Sequence, residues 1–167
     1  ESMAYGFYIL ELVEKSVADE ESNEKIFMLL VKTLGILADM KDKFLKLIVA
    51  FELKYVSFLG YRPYINRCVM CGNGESSTYK FSNLEGGIIC CDCFTKDITA
   101  RPISRELYNS MVKLLYVELD KLDELDIPDN TLDRLHEIIE DYILYNIDRN
   151  AFNSLEFLAF LSILYKK

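Results

Sequence analysis

Four of the five cysteines in this chain stand in two C-x2-C pairs, Cys68 with Cys71 and Cys90 with Cys93, separated by the 18 residues from Gly72 to Ile89. That is the residue type and spacing of a four-thiolate metal site. A C-x2-C turn delivers two sulfurs to one side of an ion, and a second turn completes the tetrahedron. Four thiolates fill the shell and leave no position for water, so the expected role is structural and not catalytic. Zinc is the leading ion. Rubredoxin-like iron or an iron–sulfur cluster, a disulfide pair, and a site that has lost its metal are the competing readings. The run Cys90-Cys91-Asp92-Cys93 offers two partners for Cys93. Cys90 keeps the two-residue spacer of the first knuckle and Cys91 would leave one, so Cys91 is expected to be a free thiol beside the site.

The surrounding residues must hold these sulfurs. Gly72 follows the first pair where a tight turn often requires positive φ, and Gly86-Gly87 allow a bend into the second. Between them Thr78-Tyr79-Lys80-Phe81-Ser82 alternates and is β-prone, predicting a ribbon of two or three strands. Helical patterns flank the module. Tyr5, Ile9, Leu12, Val13 and Val17 stripe a first helix over 4–18, and Ser22 is the expected N-cap of a second carrying Ile26, Leu30, Thr33, Leu34 and Leu37. A third, near 42–59, has two apolar stripes and should be the buried centre, ended by Gly60 and Pro63. Pro102-Ile103-Ser104 reads as staple and cap for a fourth helix carrying Leu107, Met111, Leu114 and Leu115. The acidic stretch 118–130 reads as a solvated loop. Two more helices follow, one with Leu132, Leu135, Ile139, Tyr142 and Ile143, the other capped by Asn153 or Ser154. The expected fold is mainly α: a bundle of about six helices with an inserted four-cysteine zinc ribbon, divided as 1–61, 62–101 and 102–167, the outer two forming one discontinuous helical domain.

With 167 residues, 51% of them apolar, the chain can fill a real core. Its net charge of −8 argues against a surface that grips polyanions as a whole. Residues 54–105 are the exception, with seven basic residues against four acidic. No apolar run reaches the roughly 18 residues needed to cross a bilayer, and Glu1-Ser2-Met3 has no signal-like character, so a cytoplasmic location is expected. Walker loop, nucleophile elbow and His-Glu zinc helix motifs are all missing, and the protein is read as no enzyme. His136, the sole histidine, is expected in an ordinary surface or interface role.

Taken together, Phe51-Glu52-Leu53-Lys54, Leu59-Gly60-Tyr61-Arg62-Pro63, Arg67-Cys68-Val69-Met70-Cys71-Gly72, Phe81-Ser82, Glu85-Gly86-Gly87 and Cys90 to Cys93 closely resemble the bacterial recombination mediator family RecO. Ala4-Tyr5 and Ser154-Leu155-Glu156-Phe157-Leu158 extend the likeness over nearly the whole chain. The resemblance implies the helical domain and inserted zinc module of a protein whose N-terminal OB-fold is missing here, with structural Zn2+ on Cys68, Cys71, Cys90 and Cys93. It further implies a nucleoid-associated mediator that anneals complementary strands, associates with RecR, docks the tail of single-stranded-DNA-binding protein, and helps load RecA. DNA binding is expected to be weak for this fragment alone, with Arg62, Arg67, Lys80, Arg101 and Arg105 facing DNA or RecR. The alternative is a zinc-ribbon adaptor that joins proteins and has no part in recombination.

Overall fold

A computed structural model describes residues 2–16 and 23–147. It contains α1 (Ser2–Ser16), α2 (Glu24–Asp39), α3 (Phe44–Phe58), β1 (Tyr79–Ser82), β2 (Gly87–Cys90), β3 (Arg101–Ile103), α4 (Arg105–Tyr116) and α5 (Asp129–Asn146). Two 3-10 turns, Cys91–Cys93 and Leu119–Glu124, complete the described elements. The protein is mainly helical with one small sheet, as expected. The sixth helix, with Asn153 and Ser154, and Val17 of the first stripe lie outside the described residues.

α3 is the axis of the bundle and touches α1, α2, α4, α5 and the second 3-10 turn. Its paired apolar stripes put Leu47, Ile48, Val49, Ala50, Phe51, Leu53, Tyr55 and Val56 fully out of solvent. Each of these apart from the small Ala50 contributes about 1.5–3 kcal/mol relative to exposure. Such a helix must also bury its polar residues. Lys46 sends its ammonium to the Leu125 carbonyl at 2.9 Å, and Lys54 donates to the carbonyls of Leu114 and Leu115 at 3.3 and 2.9 Å. Those carbonyls belong to the last turn of α4, where unpaired acceptors and the negative end of the helix dipole favour a cation. Burial, and then the nearby Arg62, lower the Lys54 pKa to about 8. After Phe58, Gly60 takes φ +95, ending the helix as its position suggested.

The sheet has order β2-β1-β3, all antiparallel, with Phe81 opposite Ile88 and Arg101. Phe81, Ile88 and Ile103 join the helical core, while Ile89 joins a second cluster with Cys68, Cys90, Cys93 and Ala100. Strand alternation therefore divides the sheet between the helices and the sulfurs. Pro102 lies in the edge strand β3, where its missing N–H costs no ladder bond.

Two local expectations are corrected. The cap of α2 is Asn23, one residue beyond Ser22, its side chain accepting from the Ile26 N–H at 3.2 Å. The stretch 118–130 is more than a solvated loop: a 3-10 turn inside it buries Leu119 and Leu122, and Ile127 follows them into the core. Leu119 and Leu122 are three apart and so eclipse on one side of a 3-10 helix, leaving the carboxylates outside. The fourth-helix cap is as read, Ser104 Oγ accepting from the Leu107 N–H at 3.1 Å.

Candidate metal centre

The first knuckle forms where the chain leaves the Tyr64 to Ile65 segment. The Cys68 N–H donates to the Asn73 carbonyl and the Gly72 N–H to the Cys68 carbonyl, both at 2.8 Å, while Gly72 adopts φ +75. The knuckle is fixed to β2 by the Val69 N–H, which donates to the Ile88 carbonyl at 2.9 Å. β2 ends at Cys90 and the 3-10 turn Cys91–Cys93 brings Cys93 back on the same side. As a result the sulfurs of Cys68, Cys71, Cys90 and Cys93 all lie within 4.8 Å of one another, three of the residues buried and Cys71 exposed. Cys71 and Cys90 Sγ are 3.6 Å apart. A zinc ion with bonds of about 2.3 Å requires tetrahedral edges of about 3.8 Å, so the donor set fits such an ion.

The electrostatics suit a cation. Burial pushes the Cys68 thiol up, but backbone N–H groups of Cys90, Cys71 and Met70 aimed at its sulfur outweigh burial and hold it down at about 6. Burial pushes Cys93 up to about 12, helped by the neighbouring thiols of Cys71, Cys90 and Cys68, and it raises Cys90 as well. A divalent cation would stabilise all four as thiolates. Cys91 faces elsewhere. It is exposed, its N–H donates to Ser76 Oγ at 3.3 Å, and its sulfur lies 3.4 Å from that hydroxyl.

Asp97, which the sequence did not single out, anchors the segment after the second knuckle. It is buried and accepts from Ser82 Oγ at 2.5 Å, from the Thr99 N–H at 2.9 Å and from Thr99 Oγ1 at 2.6 Å. The Ser82 and Thr99 hydrogen bonds hold its carboxyl below the usual range against the opposing effect of burial. The other contact that only coordinates reveal is in the helical core. Glu52, fully buried, accepts from the Tyr8 hydroxyl at 2.5 Å, and His136 Nδ1 lies 3.1 Å from both its oxygens. His136 thus has a specific partner and not the ordinary surface role expected of it. Burial disfavours its charged form, but the Glu52 carboxylate and the hydrogen bond to it, with Glu140 and Asp133 nearby, carry the pKa up to about 9.

The five basic residues singled out in the sequence are dispersed. Arg101 pairs with Asp141 on α5. Lys80 lies 4.7 Å over the Phe94 ring and Arg62 5.1 Å over the Tyr116 ring. Arg105 opens α4 beside the 74–77 loop, and Arg67 is exposed just ahead of the first knuckle.

The family described as recombination protein O, C terminal, matches residues 1–156. The DNA repair protein RecO of Alkaliphilus metalliredigens is 31% identical over 92% of this chain and 63% of its own length. The proteins of that name from Bacillus pumilus and Desulforamulus reducens are each 30% identical, over 83% and 95% of this chain and 54% and 60% of their own lengths. The chain therefore spans somewhat more than half the length of these relatives. With the family match covering nearly all of it, including both cysteine knuckles, the chain belongs to the RecO family and corresponds to that family's C-terminal part.

Proposed function

We propose that this chain is the helical and metal-binding part of a recombination mediator acting in DNA repair. The observation that carries this reading is the family match over residues 1–156. In this role the bundle is a scaffold for protein partners, RecR and the tail of single-stranded-DNA-binding protein, in the course of RecA loading and strand annealing at the nucleoid. The protein acts by binding and not by catalysing a reaction. α1 and α2, which pack on each other, expose Met3, Phe7, Phe27, Met28 and Val31, an apolar surface of the kind that another protein covers. Among the described residues no helix is long and apolar enough to cross a membrane.

The metal in this reading is a structural Zn2+ held by Cys68, Cys71, Cys90 and Cys93, ordering the loops on either side of the sheet. A closed shell of sulfurs supplies folding energy and no reactive position. Elemental assay of protein purified without chelator is expected to give one zinc per chain. Retention of RecR and of a single-stranded-DNA-binding-protein tail peptide in a pull-down tests the mediator reading. Retention of neither would favour a zinc-ribbon adaptor, and an iron-type visible spectrum would displace zinc.

A further inference from the structure

We infer that the outer face of α4, together with the start of the cysteine module, is a stacking strip for single-stranded nucleic acid. The inference rests on the mediator reading and assigns a site to it. Arg105, Tyr108, Val112 and Tyr116 follow one another at helical spacing along α4, opposite the buried Leu107, Met111 and Leu114. Two of the four are capped by groups from the preceding chain: Tyr79 of β1 stacks on Tyr108 with centroids 5.2 Å apart, and the Arg62 guanidinium sits 5.1 Å over Tyr116.

The tyrosine pair is held in place. The Tyr108 hydroxyl donates to the Ile65 carbonyl at 3.0 Å and the Tyr79 hydroxyl to the Gly74 carbonyl at 3.3 Å, so neither ring must be ordered when a ligand arrives. Beside the pair lies a cleft of about 580 Å³ lined by Glu75, Ser76, Ser77, Tyr79, Arg105 and Tyr108. That volume accommodates a nucleobase with its sugar. Arg105 at its edge can meet a phosphate, and the exposed Ser77 side chain offers a hydroxyl. Glu75 repels phosphate but can accept from an N–H on the edge of a base, such as N3–H of thymine, orienting the base inward. At the other end Tyr116 is half-exposed beside Arg62, and Lys113 projects from the exposed side of α4.

Aromatic faces alternating with cations are what sequence-tolerant binding of a single strand requires, the rings stacking on bases and the cations following the backbone. The strip runs about 16 Å along the helix, enough for several stacked bases. Its first part lies within 54–105, where seven basic residues stand against four acidic, and the rest follows just beyond. With Arg62, Arg105 and Lys113 as the phosphate contacts, the logarithm of affinity should fall with the logarithm of salt with a slope of about −2.

The test is photo-cross-linking of the 167-residue chain to an oligothymidylate carrying 5-iododeoxyuridine, with adducts mapped by mass spectrometry and affinity followed by fluorescence anisotropy. Adducts at Tyr79, Tyr108 or Tyr116 are expected. Tyr116→Ala should weaken binding about tenfold, the loss typical of one stacked base. Tyr116→Phe should bind as the parent does, as should Tyr145→Ala, an exposed aromatic on α5. Binding with adducts only elsewhere, or no binding, overturns the strip. A positive RecR pull-down alongside either result would leave the mediator reading standing, so the two failures are separable.

Discussion

Replacing Glu52 by Gln isolates the charge at the centre of the helical bundle. The amide keeps an oxygen for the Tyr8 hydroxyl but removes the anion beside His136. Lifting the histidine pKa from its ordinary 6.5 to about 9 corresponds to about 3 kcal/mol of folding free energy. Because the folded value lies above the unfolded one, this contribution is complete below pH 6.5 and disappears as pH rises through about 9. Glu52→Gln should therefore lower stability by about 3 kcal/mol at pH 6, a fall in Tm of roughly 6–12 °C for a chain of this size. At pH 9.5 the imidazole is mostly neutral in the parent and neutral in the variant, and the loss should shrink to about 1 kcal/mol or less. Urea unfolding followed by far-ultraviolet circular dichroism at the two pH values gives the comparison. As His136 is the sole histidine, its imidazole NMR signal can be titrated without assignment. A deficit independent of pH, or a His136 pKa at or below its ordinary value in the parent protein, would refute the reasoning.

Three further outcomes follow from individual positions. Cys91→Ser should leave metal stoichiometry unchanged while Cys93→Ser abolishes it, as measured by elemental assay, since only the second sulfur lies in the four-thiol group. Zinc removal should release amide protection around 66–77 and 91–100 yet preserve the helical circular dichroism, because the helices have their own core and Phe81, Ile88 and Ile103 belong to it; global unfolding by chelator would contradict this. Gly87→Ala would put a Cβ 2.2 Å from the Tyr64 carbonyl oxygen, backbone that cannot swing aside, whereas a Cβ at Gly35 meets nothing within 4 Å. The first should cost about 2–4 kcal/mol and the second should gain about 0.5–1 kcal/mol, read by denaturant melts.

The parts legible in the sequence were those governed by local spacing. Two C-x2-C pairs and a two-residue spacer were enough to choose Cys90 over Cys91, because the geometry of a knuckle is set within four residues. The double stripe of α3 likewise announced burial, since a helix apolar on both sides has no face to give to water. Other features depend on residues far apart or on competing local signals. Glu52 and His136 are 84 positions apart, and nothing in either neighbourhood reveals that a fully buried carboxylate waits for the imidazole. Between 118 and 130 the density of carboxylates hid Leu119, Leu122 and Ile127, whose spacing is that of a tighter helix than the one sought. The basic residues were visible as a local surplus, but their separate partners, an aspartate for Arg101 and aromatic rings for Arg62 and Lys80, were not.

The insert is bolted to α5. The Tyr142 ring meets Phe81 edge-on at 5.3 Å, its hydroxyl reaches the Tyr61 carbonyl at 3.0 Å, and one turn of the same helix supplies Asp141 to Arg101. A finger on a pliant stalk could search for its target independently of the body. This one is a bracket, tied at three points to α5, so a partner that grasps its tip is expected to set the heading of the bundle as well.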